Sequence, residues 1–291
     1  MSEAPEAWTV TKVLRFAQAD FQKRDFDSPR LDAELLLGAC LGLSRVELLM
    51  EAARPLSPSE LGAYRELIQR RRKGEPIAYI LGRREFHGLD FRVDSRVLVP
   101  RPDTEVLVEV ALTRTRARDQ FGEALDLCTG SGCVAIAFRS ARPGWRVMGV
   151  DVSRDALRVA QENALRLGCV FGMCWREGDL YDAVPAPQRF DLITANPPYI
   201  PSQELAELAP DVRDFEPRLA LDGGPDGLDV IRRVVAQAGG RLRSGGVLAL
   251  EVHYDQAPRV EQLLKDSGFT ETSRSRDYGG HERVVSGRRA D

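Results

Sequence analysis

The spacing of apolar positions changes character twice along the chain. Up to residue 73 the apolar residues recur at helical intervals, as in Leu31, Leu35, Leu36 and Cys40, and again in Leu61, Tyr64, Leu67 and Ile68. Pro29 marks one helix start. Ser57-Pro58-Ser59-Glu60 marks another, with Ser at the N-cap, Pro at N1 and Glu at N3. Between residues 86 and 99 the period drops to two. Phe91, Val93, Val97 and Val99 are apolar, and Asp94-Ser95 supplies a turn, which predicts a two-stranded hairpin. A helix over 103–116 follows, with Asp103 as candidate N-cap. Thereafter short apolar runs alternate with amphipathic stretches. Strands are expected over 124–129, 146–150, 173–178, 190–195, 247–252, 269–276 and 283–287, and helices over 132–141, 154–167, 226–240 and 256–267. That alternation predicts a mostly parallel sheet in an α/β, Rossmann-like domain. The domains expected are 1–84 (helical), 85–102 (hairpin linker) and 103–291 (α/β). The stretch 201–225, rich in charge, Pro and Gly, reads as a long loop beside a site and is expected to wall the substrate.

Candidate chemistry sits at the strand ends, where open α/β sheets bind ligands. Directly after the run 190–195 come Asn196-Pro197-Pro198-Tyr199. Both prolines fix φ, and each bars α geometry for the residue before it. The Asn196 side chain and the Pro197 carbonyl become two acceptors on a stiff frame. Such a frame suits a planar NH2 group whose hydrogens are gripped while its nitrogen attacks. The plainer alternative is a turn that merely ends a strand.

Upstream, Asp126, Cys128 and Thr129 lead into Gly130-Ser131-Gly132 and then a helix. Glycines there let backbone approach a ligand closely, and a helix N-terminus favours acceptor groups. Asp151 ends the second strand, where a carboxylate can accept both hydroxyls of a ribose. Asp179 ends the third and, with Leu180, is expected to border an adenine. The same glycine loop also satisfies the G-x-G-x-x-A dinucleotide fingerprint, with Asp151 about 20 residues on. An NAD-linked dehydrogenase is therefore a rival. It would want an acid/base near its substrate, and the chain has only His87, His253 and His281.

Gly loop, strand-end Asp and NPPY together resemble a class I S-adenosylmethionine methyltransferase acting on an amino or amide nitrogen. The likeness narrows along the chain: Ser28-Pro29-Arg30-Leu31-Asp32-Ala33-Glu34, Gly74-Glu75-Pro76-Ile77-Ala78-Tyr79, Arg84-Glu85-Phe86, and Pro100-Arg101-Pro102-Asp103-Thr104-Glu105. It continues in Glu216-Pro217, Ala220-Leu221, Arg276-Asp277-Tyr278-Gly279 and Glu282-Arg283-Val284. These segments resemble the HemK/PrmC family, the N5-glutamine methyltransferases of peptide chain release factors. Two departures are visible: Cys128 and His253 stand where many members have Gly. A sister family that methylates a large-subunit ribosomal protein shares the glycine loop but usually lacks the PRPDTE segment. A nucleic-acid amino methyltransferase is the other alternative.

The resemblance implies S-adenosylmethionine as cofactor, with S-adenosylhomocysteine as product. It implies cofactor contacts from Asp126, Cys128, Thr129, Gly130, Ser131, Gly132, Asp151, Asp179, Leu180 and Asn196. The substrate, implied to be the glutamine of a Gly-Gly-Gln loop, would meet Asn196, Pro197, Pro198 and Tyr199, with Asn196, Pro197 and Tyr199 serving catalysis. It also implies that the last strand inserts antiparallel. No role is expected for Glu251 beyond a structural hydrogen bond.

Composition adds limits. The net charge of −3 argues against a nucleic-acid substrate, whose phosphates favour a basic face. The basic run Arg70-Arg71-Arg72-Lys73 is the exception and reads either as a solvated helix end or as a contact for an acidic partner. The five cysteines, Cys40, Cys128, Cys133, Cys169 and Cys174, include no C-x-x-C pair. Free thiols in a reducing cytosol are expected, with neither disulfides nor a metal site. Residues 1–11 show no signal-peptide pattern, and no 18-residue apolar run occurs. A cytoplasmic monomer without membrane contact is expected.

Overall fold

A computed structural model describes residues 7–115 and 121–290. Residue 116, the expected end of one helix, and residues 1–6 of the segment scanned for a leader lie outside the described residues. The chain divides into two compact units, 1–82 and 83–291.

The first unit is helical: α1 (Val10–Gln22), α2 (Pro29–Leu41), α3 (Arg45–Met50), α4 (Pro58–Arg72) and α5 (Ile77–Leu81). Its core gathers Val10, Phe21, Leu36, Leu37, Leu48, Tyr64 and Ile68, one face from each of four helices. The expected start of α4 forms as a complete capping box. Ser57 Oγ accepts from Glu60 N, and the Glu60 carboxylate accepts from Ser57 N. In the basic run at the end of α4 the three arginines are paired within the unit, while Lys73 is exposed. Arg70 pairs with Glu75, buried Arg71 pairs with Asp32 at 2.9 Å, and Arg72 pairs with Asp20 at 2.8 Å. The arginines hold α4 to neighbouring segments, a task that neither reading of the sequence gave them.

The second unit opens with a hairpin, β1 (Arg83–Phe86) and β2 (Leu89–Arg92). Its turn is His87-Gly88, where both residues have positive φ, and not Asp94-Ser95. The period-two pattern ran on past the true strand because Val93, Val97 and Val99 are buried as an irregular strap. A 3₁₀ turn, Pro102–Thr104, precedes α6 (Glu105–Arg114). Asp103 lies inside that turn and faces Arg283 at 3.4 Å, so it is not the helix cap.

The rest alternates: β3 (Glu123–Leu127), α7 (Cys133–Ala141), β4 (Arg146–Asp151), α8 (Arg154–Arg166), β5 (Met173–Glu177) and β6 (Phe190–Ala195). After short α9 (Pro210–Arg213) come α10 (Asp229–Arg241), β7 (Leu242–Glu251), α11 (Ala257–Asp266), β8 (Phe269–Arg276) and β9 (Glu282–Arg289). The seven strands run in the order β5-β4-β3-β6-β7-β9-β8. Contacts are parallel from β5 through β7, and β9 inserts antiparallel between β7 and β8. Strands covered on both faces need continuous apolar runs, and β6 and β7 supply them with Leu192, Ile193, Leu248 and Leu250 buried. β3 and β6 are neighbours, so the glycine loop and the NPPY corner emerge side by side at one edge of the sheet.

Candidate active site

A cavity of about 290 Å³ opens at that edge. Of the ten residues expected to hold a cofactor, nine line it: Asp126, Cys128, Thr129, Gly130, Ser131, Asp151, Asp179, Leu180 and Asn196; Gly132 does not. Pro198 lines it as well, whereas Pro197 and Tyr199 do not. The sequence pattern had grouped all four NPPY residues on one ligand face. Alternation around the corner turns Pro197 into buried surroundings and half-buries Tyr199 against Glu251.

The floor is a polar brace. Asp126 is 2% exposed, and its two oxygens accept from Thr129 Oγ1 and Thr194 Oγ1, each at 2.6 Å. One carboxylate thereby ties the glycine loop to β6 two residues before Asn196. Burial, which outweighs both hydroxyl donors, pushes its pKa up to about 6. The loop turns through left-handed conformations at Cys128 (φ 55°), Gly130 (φ 54°) and Gly132 (φ 78°). A Cβ on Gly132 would come within 3.0 Å of Ile136 and Trp175, so glycine is required there for two reasons. Cys128 takes the same conformation with a side chain, at a cost of about 1–2 kcal/mol.

Asp151 ends β4 with both oxygens engaged: Oδ2 accepts from Gly130 N and Oδ1 from Ser153 N, each at 2.9 Å. Each oxygen keeps a second lone pair for a ligand. Burial raises its pKa despite these donors. The next helix is capped by Ser153, whose Oγ accepts from Ala156 N at 3.2 Å. Asp179 pairs with Arg233 at 2.7 Å, and Leu180 holds a positive φ beside it.

The NPPY corner is held from three sides. Asn196 Nδ2 donates to Thr104 Oγ1 at 3.3 Å, and Tyr199 Oη donates to Glu251 Oε1 at 3.3 Å. Beyond it, Ile200 N donates to the Leu221 carbonyl, Gly223 N to the Ile200 carbonyl, and Gln256 Nε2 to the Tyr199 carbonyl. The stretch 201–225, expected as a loop, thus returns to brace the corner, and Pro217, Leu219 and Ala220 line the cavity.

Several functional candidates carry no periodic signal. Arg96 and Arg101 line the cavity from the strap, and Arg101 pairs at 2.7 Å with buried Glu216. Thr104 and Glu251 are 1% exposed. Thr104 and Arg101 belong to the PRPDTE segment, which marked a resemblance without disclosing a task for either side chain. Among the described residues no group of three or more His, Cys, Asp or Glu is placed to hold a metal, and no helix is long and apolar enough to cross a membrane.

Comparison with known proteins accounts for both units. The family described as "PrmC N-terminal domain" matches residues 12–82, and "Methyltransferase small domain" matches residues 102–209. The Release factor glutamine methyltransferase of Geobacter sulfurreducens is 45% identical over 288 residues, 99% of each chain. That of Chlorobaculum tepidum is 42% identical over 290 residues, 97% of each chain. Among solved structures, a T. thermophilus 16S rRNA methyltransferase in complex with AdoMet and guanosine aligns with a TM-score of 0.51 at 19% identity, covering 71% of this chain and 49% of that one. That likeness is one of fold.

Proposed function

The chain belongs to the release factor glutamine methyltransferase family, and on that premise we propose that it methylates the side-chain N5 of the glutamine in the Gly-Gly-Gln loop of a peptide chain release factor. The methyl donor is S-adenosylmethionine and the product S-adenosylhomocysteine. The observation that carries this reading is the orientation of Asn196: its Nδ2 is taken by Thr104, which leaves Oδ1 at the cavity edge as an acceptor.

The cavity's residues fit the cofactor by their chemistry. Asp151 offers lone pairs to ribose hydroxyls. Gly130 presents bare backbone, where even an added Cβ would meet nothing within 4 Å. Leu180, Val152 and Val230 give apolar surface for a flat base. When bound, S-adenosylmethionine supplies a methyl group on a positively charged sulfur.

A glutamine amide nitrogen is a weak nucleophile because its lone pair is delocalised into the carbonyl. Removing a proton first would be costly at neutral pH. Asn196 Oδ1 and the Pro197 carbonyl instead each accept one N–H and fix the direction of the nitrogen, the buried Pro197 ring packing behind the corner while its main-chain oxygen serves substrate. Both also favour the positive charge that grows there, an electrostatic effect prepared before reaction. Orientation of this kind is worth roughly 7–11 kcal/mol at its best. The methylated nitrogen then sheds a proton already hydrogen-bonded to one of the two acceptors. Tyr199, tethered to Glu251, backs the corner instead of facing the cavity.

Residues 1–84 serve as the recognition domain for the body of the release factor, 85–102 as its link, and 103–291 as the catalytic domain. The enzyme acts as a cytoplasmic monomer without membrane contact. Incubation with labelled S-adenosylmethionine and, in parallel, release factor, ribosomal protein or DNA tests the substrate. Label on a release-factor glutamine supports the reading, and label only on ribosomal protein or DNA refutes it.

A further inference from the structure

We propose that Leu219 is a specificity residue for the target side chain: it forms an apolar lip at the mouth of the cavity and packs against the methylene stem of the glutamine while the Asn196 corner holds the amide. This rests on the methyltransferase reading above and narrows the substrate class to a carboxamide carried on an aliphatic stem.

A single exposed leucine carries no message by itself. Its place sets this one apart. Of the large apolar residues that are exposed among the described residues, only Val152 and Leu219 line the cavity. Val152 follows Asp151, the proposed ribose contact. Leu219 sits in the 3₁₀ turn Arg218–Ala220, within the stretch 201–225 that returns to brace the corner. That turn is anchored on both sides. Before it, Glu216 pairs with Arg101 of the strap at 2.7 Å. After it, the Leu221 carbonyl accepts from Ile200 N at 3.0 Å, directly beyond the NPPY corner. Glu216 and Leu221 are each 6% exposed, whereas Leu219 between them is 60% exposed. The backbone is held, and the apolar side chain is presented at the opening.

Chain reach places the lip near the corner. Leu219 is two residues from Leu221, at most about 7 Å of extended chain, and Leu221 is bonded to the residue after Tyr199. Pro198, Pro217 and Ala220, which also line the cavity, add no polar side-chain atom. A glutamine amide suits Asn196 Oδ1, but two methylenes separate it from its main chain. With the amide seated, those methylenes cross the mouth, and apolar surface there is drawn out of water. A nucleobase amine has no such stem. It is gripped by stacking, above all on aromatic rings. No aromatic ring is among the described residues that line the cavity.

The test compares Leu219→Ser and Leu219→Met with wild type. Leu219 is exposed, so neither exchange opens the core. KM and kcat on release factor and calorimetric binding of S-adenosylhomocysteine are measured for each. Release factor with alanine in place of the target glutamine serves as a competitive inhibitor. For Leu219→Ser the expected result is a KM raised roughly tenfold with kcat within about threefold, the sign of an apolar contact made before and during transfer. Leu219→Met keeps the lip apolar and should hold KM within about threefold of wild type. Cofactor affinity should stay within about twofold, and so should inhibition by the alanine-bearing release factor, which brings no stem. Wild-type KM in Leu219→Ser, or a Leu219→Met as poor as Leu219→Ser, would overturn the proposal. A matching loss of S-adenosylhomocysteine affinity would overturn it by making the lip a cover for the cofactor. Inhibition weakened as much as KM would overturn it by placing Leu219 against the body of the partner. A wild type that leaves release factor unmodified refutes the functional reading and the lip with it, whereas an active wild type with any of these contrary results refutes the lip alone.

Discussion

Asn196 Nδ2 donates to Thr104 Oγ1 across 3.3 Å, joining a strand-end corner to a turn 92 residues earlier. The bond settles which atom of the amide is left for a ligand, and activity follows from that choice. Asn196→Ala is expected to lose roughly a hundredfold or more in kcat, the scale of a deleted transition-state contact. Calorimetric affinity for S-adenosylhomocysteine should change far less, because the rest of the cavity is untouched. Wild-type turnover in this variant would remove the two-acceptor mechanism.

Asp151 joins the second strand to the glycine loop through Gly130 N at 2.9 Å. Asp151→Ala removes a charge-assisted acceptor for the loop as well as the proposed ribose contact. Hydrogen bonds to charged groups contribute about 1.5–3 kcal/mol each. S-adenosylhomocysteine affinity should therefore fall by roughly tenfold or more. Unchanged affinity by calorimetry would deny Asp151 its ligand role.

Gly227 lies where an added Cβ would come to 2.2 Å from the Tyr199 carbonyl and 2.5 Å from Gln256 Nε2, at a φ of 73°. Gly227→Ala must displace the backbone of the corner, because a carbonyl cannot swing aside as a side chain can. The expectation is a loss of about 1–3 kcal/mol in stability together with reduced kcat. Urea unfolding and a turnover assay check both, and a variant normal in both would show that the return loop does not hold the corner.

Glu251 links the site to pH. Burial is the main cause that pushes its carboxyl up to about 7 from an ordinary 4.5. The Thr104 hydroxyl, Arg283 and Tyr199 oppose the rise, and Asp103 adds to it. A raised carboxyl pKa means the native state holds the proton longer than the unfolded chain. Its contribution to stability is complete below the unfolded pKa and is lost as pH rises through the folded one. Wild type should therefore lose about 3 kcal/mol relative to Glu251→Gln between about pH 4.5 and pH 7. Parallel stability curves for the two proteins, from urea unfolding across that window, would contradict the burial argument.

Much of this architecture is legible in the chain because local signals and burial agree. The Ser57 capping box, the glycine loop and the apolar runs of β6 and β7 each fold as their residues dictate. The lining of the cavity is legible for the same reason, since strand ends and glycines fix it locally. What escapes is long-range. The partners of Arg70, Arg71 and Arg72 are chosen by how helices pack, so a charge run reads as surface when it is a set of internal pairs. The strap after β2 is buried yet irregular, and alternation alone extends the hairpin into it. Thr104 reaches Asn196 from a turn 92 residues earlier, and Glu251 reaches Tyr199 from the end of β7, pairings that no spacing announces. Pro197 and Tyr199 are turned from the cavity by the corner itself, while the motif's four letters give them a common face.

The most direct test of the central claim is mass mapping of purified release factor after incubation with this enzyme and isotopically labelled S-adenosylmethionine. One added methyl on the side chain of the glutamine in the Gly-Gly-Gln loop, absent with Asn196→Ala, is the predicted result. An unmodified glutamine, or a methyl that Asn196→Ala transfers equally well, would contradict it.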